Sequence, residues 1–236
     1  VQAIINDAKN KGLEPLERAA SADGFFRDKI LKAVEDYEKL LKQGNALDFG
    51  DLIYLTVKLF NENEDVLEGC RKKWTHLLVD EYQDTNPVQY TLIKLLSGRE
   101  MNITVVGDDD QSIYRWRGAD IQNILDFEKD FSGAHLVRLE QNYRSTQRIL
   151  SAASAVVEKN IGRKGKNLWT EAGDGEPLTL CRLTNEYEEA RHVINEMESI
   201  ILKEAKNYSD FTIFYRTNSQ SRVIEDELVK RGIPYA

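Results

Sequence analysis

The chain has 236 residues, one large or two small domains at about 100–200 residues each. Forty acidic against 32 basic side chains give a formal net charge of −8, and 41% hydrophobic with 31% charged residues describe a globular chain rather than a disordered one. No apolar run approaches the ~18 residues of a bilayer span, no segment has signal-peptide architecture, and Cys70 and Cys181 are too few for a disulfide scaffold. These features argue against a secreted, membrane or zinc-ribbon protein and point to a reducing cytoplasm. The acidic balance argues against bulk polyanion binding but leaves room for a local nucleic-acid groove.

The first quarter reads as all helical. Phe26, Ile30, Val34, Tyr37 and Leu41 recur at spacings of three and four, an amphipathic helix over 25–43 that Gly44 stops. Asp48 is placed to cap a second helix over about 49–61. The pattern then changes. Leu77-Leu78-Val79 and Ile103-Thr104-Val105-Val106 are short apolar runs that end in Asp80-Glu81 and Gly107-Asp108. Between them Asn86-Pro87 opens a helix with proline at its first position. Strand, crossover helix and strand make a βαβ unit with parallel strands. Asp120 opens a further helix, and residues 135–139 read as a third strand. Ser145 caps a helix with Ile149, Ala152, Ala153 and Val156 on one face. The glycine-rich stretch 160–177 is a loop, 178–183 and 211–215 are strands, Asn185 with Glu188 resembles a capping box, and Gly232 ends a last helix near Arg231. The chain begins at Val1 inside a helical pattern and ends at an unfinished strand, as a piece of a longer protein would.

Open α/β sheets bind ligands beyond the carboxyl ends of their strands. Three strand ends carry dense polar sets. At Asp80-Glu81-Tyr82-Gln83-Asp84 one carboxylate can hold a hard cation while its neighbour deprotonates a water, although an acidic loop capping the next helix explains a bare pair better. After Gly107 come three aspartates, Gln111 and then Tyr114-Arg115-Trp116-Arg117. Alternating rings and guanidinium groups suit single-stranded nucleic acid, with bases stacked and phosphates paired. The alternative makes Trp116 a core residue, though a tryptophan between two arginines is a poor core candidate. Glu140 to Ser145 lies between a strand and a helix start, where Arg144 can clamp a phosphoryl group or serve only as surface charge. No G-x-x-x-x-G-K-[ST] loop occurs, so a nucleotide site would take its phosphate cradle from outside the chain.

Together LLVDEYQDTNPVQY, VVGDDDQSIYRWRGADIQNIL and LEQNYRS resemble the second, third and fourth motifs of the superfamily 1 DNA helicases of the UvrD/PcrA/Rep type, leaning to the PcrA branch. The resemblance extends to NALDFGDLI at 45–53, FYRTNSQSRVIEDEL at 214–228 and GIPY at 232–235. It implies an α/β fold: parts of two RecA-like domains with parallel sheets, preceded by a helical segment from an inserted subdomain. By the family's layout, residues 1–44 are the tail of that subdomain, 45–137 the end of the first motor domain and 138–236 the start of the second. ATP and Mg²⁺ are the implied cofactors. Asp80 would hold the metal, Glu81 act as general base, Gln111 contact the γ-phosphate, Tyr143 pack on adenine and Arg144 act as an arginine finger. Phe49, Tyr114 and Trp116 would stack bases, and Arg117, Arg216 and Asn218 would contact the strand. The implied partners are single-stranded DNA, its junctions with duplex, and the remainder of the helicase chain, with no membrane. The implied activity is ATP-dependent 3′-to-5′ unwinding by the parent protein, with the chain itself inactive. Two rivals stay open: a nuclease with a two-metal cluster from Asp80, Glu81, Asp84 and Asp108 to Asp110, and a non-catalytic helicase-like binding module.

Overall fold

The three-and-four spacing of the first quarter appears as helices in the computed structural model, which describes residues 1–21, 24–98 and 102–236. These are α1 (Gln2–Asn10), α2 (Pro15–Ala20), α3 (Arg27–Gln43), α4 (Phe49–Glu62) and α5 (Glu64–Lys73). Ile5, Ala19 and Val34 form a buried cluster joined by Ile30, Leu31 and Tyr37. Helix α4 starts in a reciprocal cap. The Asp51 N–H donates to the Asp48 carboxylate at 2.9 Å, and the Asp48 N–H donates to the Asp51 carboxylate at 3.1 Å.

A buried cation ties α1 to this cap. Lys9 is fully buried, with its Nζ 2.7 Å from Asp51, 2.9 Å from Asp48 and 3.2 Å from Glu38. The Tyr37 hydroxyl donates to Asp48 at 3.0 Å. Burial alone would depress the Lys9 pKa, but the three carboxylates outweigh it and hold the ammonium charged well above its usual range. Gly50 leaves room for this arrangement, since a Cβ there would lie 3.0 Å from Lys9 Cδ.

The βαβ unit forms as expected. Strand β1 (His76–Val79) runs parallel to β2 (Asn102–Val105), pairing His76 with Asn102 and Val79 with Val105. The crossover is α6 (Pro87–Ser97), capped reciprocally by Asn86 and Gln89 at 2.9 and 3.0 Å. Arg71 of α5 donates two hydrogen bonds to the Leu95 carbonyl near the end of α6. After β2 come tight 3-10 turns at Asp109–Gln111 and Arg115–Arg117. The helix expected from Asp120 divides into α7 (Gln122–Leu125) and α8 (Phe127–Asp130), parted at Asp126. Helix α9 (Gln147–Val157) has Thr146, not Ser145, as its N-cap. The Asn142 carboxamide accepts the N–H groups of Arg144 and Ser145, and this side-chain turn delays the helix.

Three expected strands do not form. Residues 135–139, 178–183 and 211–215 lack ladder pairing, and the sheet among the described residues has two strands. Apolar patterning favours local extension, but a strand needs a neighbour to take its N–H and C=O groups. Beside β2 lies a cleft of about 1020 Å³, lined by Ile103, Val105, Leu136, Leu139 and Lys166 among others. The result is a mainly helical α/β chain with a small parallel sheet.

The chain divides into two compact units, Val1–Gly175 and Glu176–Ala236. In the second, α10 (Glu186–Glu204) packs on α11 (Ser221–Lys230) around Ile194, Met197, Leu228 and Ile233. Asn185 accepts the Glu188 N–H at 3.0 Å, while Glu188 reaches the Thr184 N–H rather than that of Asn185, so the box closes one residue early. Gly232, at φ +67°, turns the chain out of α11. Among the described residues no helix is long and apolar enough to cross a membrane.

Candidate functional site

The two strand ends meet through one buried amide. Asp80 follows β1 and is exposed, its carboxylate accepting the Glu81 N–H at 2.9 Å. Glu81 adopts a left-handed backbone, φ +50° and ψ +41°, uncommon for a residue with a side chain. After that turn the Tyr82 N–H donates to the Val106 carbonyl at 3.0 Å, just past the end of β2. Gln83 is 1% exposed; its Nε2 donates to the Glu81 carboxylate at 2.7 Å and its Oε1 accepts the Asp108 N–H at 3.0 Å. Its backbone carbonyl accepts from the Ser112 hydroxyl at 3.3 Å. A Cβ on Gly107 would lie 2.5 Å from Gln83 Oε1 and 2.8 Å from Ile124 Cδ1, so glycine is what lets the amide pass.

Beyond Gly107 the chain folds its aspartates inward. Asp108 accepts from the Asp110 N–H at 3.0 Å and from Gln111 Nε2 at 2.8 Å. Lys166 binds the Asp108 oxygen that also accepts the Asp110 N–H, and Arg163 grips Asp110 through two bonds at 2.9 and 2.6 Å. Burial pulls the Asp108 carboxyl upward, but Lys166 and Gln111 prevail and hold it below the usual aspartate range. Asp84 behaves oppositely: burial, with the charge of Glu81, raises its carboxyl. Among the described residues, one group of three or more acids can converge on a metal ion, Asp108 with Asp109 and Asp110, and Arg163 and Lys166 already neutralise two of its members. The six-acid cluster expected of a nuclease does not assemble.

The ring-and-guanidinium strip lies at the surface. Trp116 is 69% exposed, which excludes a core role. The Arg117 guanidinium carbon lies 4.6 Å from the Trp116 ring centre and 4.9 Å from that of Tyr114. Phe49, the first residue of α4, is 94% exposed. Tyr143 is 84% exposed, its hydroxyl donating to Gln141 at 2.7 Å, and Arg144 is exposed beside it. Arg216 and Asn218 belong to the second unit, on an exposed turn where Gln220 accepts the Arg216 N–H at 2.9 Å. The structure therefore links Glu81 through Gln83 and Asp108 to Gln111, beside Asp80, at the ends of β1 and β2, and the Tyr114–Arg117 strip follows three residues along the chain. Among the described residues no hydrogen bond or ion pair joins the side chains of Tyr143 or Arg144 directly to that network.

Comparison with known proteins gives the family. The UvrD/REP helicase N-terminal domain matches residues 1–132, and the UvrD-like helicase C-terminal domain matches 137–236. The chain belongs to the UvrD/Rep helicase family. It is 48% identical over 238 residues to the ATP-dependent DNA helicase PcrA of Leuconostoc citreum, covering 100% of this chain and 32% of that relative. The PcrA of Bacillus subtilis (strain 168) is also 48% identical, over 235 residues with the same coverage. That of Staphylococcus aureus (strain NCTC 8325 / PS 47) is 46% identical over 234 residues, 98% of this chain and 32% of that relative. The chain thus spans about a third of the length of these relatives.

In this UvrD/Rep-family chain Gln83, Arg163 and Lys166 escape sequence reasoning. Gln83 lies inside the first acidic motif, where the carboxylates draw attention. Its position next to a strand end that is followed at the next strand by a glycine is the one available cue. Arg163 and Lys166 sit in a glycine-rich loop more than 50 residues from their partners, and nothing local marks them.

Proposed function

We propose that this chain is the central part of an ATP-dependent 3′-to-5′ DNA helicase that moves on single-stranded DNA and opens duplex at junctions, acting in the cytoplasm in DNA repair or replication. One observation carries the reading: a buried glutamine links an acidic strand end to a glutamine-bearing turn, and an exposed aromatic–arginine strip follows within six residues. Fuel chemistry and strand contact then lie on one short path, hydrogen-bonded as far as Gln111 and covalent from there to the strip.

Mg²⁺ takes one or two carboxylates and keeps several waters. Asp80 fits that demand, because among the described residues only one of its carboxylate oxygens is engaged, by the Glu81 N–H. Mg²⁺ and ATP, when bound, supply charge stabilisation and the scissile phosphoanhydride. Glu81 is held by Gln83 in an aimed position, as a general base for water must be. With ATP bound, Gln111 would contact its γ-phosphate and sense its state, Tyr143 would pack on the base, and Arg144 would meet developing charge. Phe49, Tyr114 and Trp116 stack bases without sequence preference, while Arg117, Arg216 and Asn218 hold the backbone or base edges. With no phosphate-binding lysine loop in its sequence, the isolated chain does not hydrolyse ATP, and the remainder of the helicase supplies that wall.

The same reading divides the chain into the tail of an inserted helical subdomain at 1–44, the end of a first RecA-like domain at 45–137 and the start of a second at 138–236. DNA-stimulated ATPase of the full-length protein tests the proposal. Wild type is stimulated by single strands, and Glu81→Gln lowers kcat at least about a hundredfold while retaining DNA binding, in line with loss of general-base catalysis. DNA binding without any ATPase in the full-length protein identifies a binding module instead, and DNA cleavage with Mg²⁺ alone identifies a nuclease.

A further inference from the structure

Residues 163–169 form a strap with both ends attached. At one end Arg163 grips Asp110 through a two-bond fork, the Lys164 N–H donates to Asp109 at 2.7 Å, and Lys166 pairs with Asp108. The Lys164 ammonium goes instead to Glu128 of α8, at 2.6 Å. At the other end the Asn167 N–H donates to the Glu140 carboxylate at 2.9 Å. The Trp169 N–H donates to the Glu140 carbonyl at 3.1 Å, and the Asn142 N–H donates to the Trp169 carbonyl at 2.8 Å. Asn142 in turn holds the Arg144 and Ser145 N–H groups.

We propose that Arg163 and Lys166 are positioning residues, through which the strap sets the turn carrying Gln111 against the segment carrying Tyr143 and Arg144. The route is continuous. Lys166 and Gln111 share the Asp108 carboxylate, one on each oxygen. Three residues further along, the strap pairs with the backbone on either side of Gln141, two residues before Tyr143. Without the strap, three aspartates would crowd one turn with no cation to offset them, and the Asp108 carboxylate that orients the Gln111 amide would lose the ammonium on its second oxygen. Arg163 supplies a planar fork, which a lysine cannot reproduce. Phosphoryl transfer depends on placement, and misplacement by about 1 Å costs up to about a hundredfold in rate.

The inference rests on the helicase reading, and two measurements on the full-length protein separate the two. The first is steady-state ATPase with single-stranded DNA. Arg163→Met and Lys166→Met are expected to lower kcat about tenfold while KM for ATP stays within about twofold. Arg163→Lys recovers little of this, because the fork is lost though the charge remains. The swap of Arg163→Asp with Asp110→Arg restores most of it. The second is amide hydrogen exchange over residues 108–112, which accelerates in Arg163→Met whatever the protein's activity. Wild-type kcat and unchanged exchange in Arg163→Met overturn the proposal. So does a double variant, Arg163→Met with Asp110→Asn, whose kcat loss is the product of the two single losses. Faster exchange in a full-length protein without DNA-stimulated ATPase sinks the functional reading and the positioning role with it.

Discussion

Gly107 and Gln83 show how one missing side chain organises the candidate site. The amide oxygen of Gln83 occupies the space a Cβ on residue 107 would need, at 2.5 Å. Gly107→Ala must therefore push Gln83 off the Asp108 N–H or bend the end of β2. The expected cost is about 1–3 kcal/mol of stability, the range for overpacking a tight site, read by chemical denaturation. Exchange of the Asp108 amide should rise in the same variant, because its acceptor is displaced. A stability change below about 0.5 kcal/mol would mean that the strand ends are looser than their geometry. The left-handed Glu81 belongs to the same picture: its conformation is held by bonds to its own N–H and carboxylate rather than by glycine's freedom.

At the scale of elements, the strap carries a pH signature. Asp108 has its carboxyl held below the ordinary value of 3.8 in the folded chain. A depressed carboxylate contributes stability above its unfolded pKa and loses it as pH falls through the folded one. The Lys166–Asp108 pair is thus intact at neutral pH and is released as pH falls below the ordinary 3.8. Trp169 fluorescence, with Trp74 and Trp116 replaced by phenylalanine, should report that release. In Lys166→Met the largest opposing influence on Asp108 is gone, so the transition moves to higher pH; an unmoved midpoint would refute the assignment. Much of the element map was legible beforehand. Asp48 and Asn86 declare their helices because a short polar side chain three residues ahead of a matching acceptor satisfies free N–H groups. The strands 76–79 and 102–105 announce themselves by apolar runs ending in acids. Residues 135–139, 178–183 and 211–215 carry the same apolar signal yet stay unpaired, since periodicity states which residues favour extension and not which chain will face them. The strap was illegible for a related reason: Arg163 and Asp110 meet across 53 positions, and a charged loop looks alike whether bound or free.

For the molecule as a whole, the helical first quarter is fastened internally through Lys9, which ties α1 to α3 and to the cap of α4. Removing that ammonium leaves Asp51, Asp48 and Glu38 facing one another in a buried setting. Lys9→Met should cost about 3–5 kcal/mol in denaturant unfolding, as breaking a buried ion pair does. A loss under 1 kcal/mol would show that the carboxylates escape to water. A second feature bears on motion along DNA in the proposed reading. Arg117 already lies within stacking distance of Trp116 and Tyr114. An incoming base therefore displaces a resident cation from those rings instead of filling a vacancy, and a departing base is replaced at once. Capture and release become an exchange of near equals, so the hold on each nucleotide is shallow, and a walker with shallow footholds spends little to lift its feet.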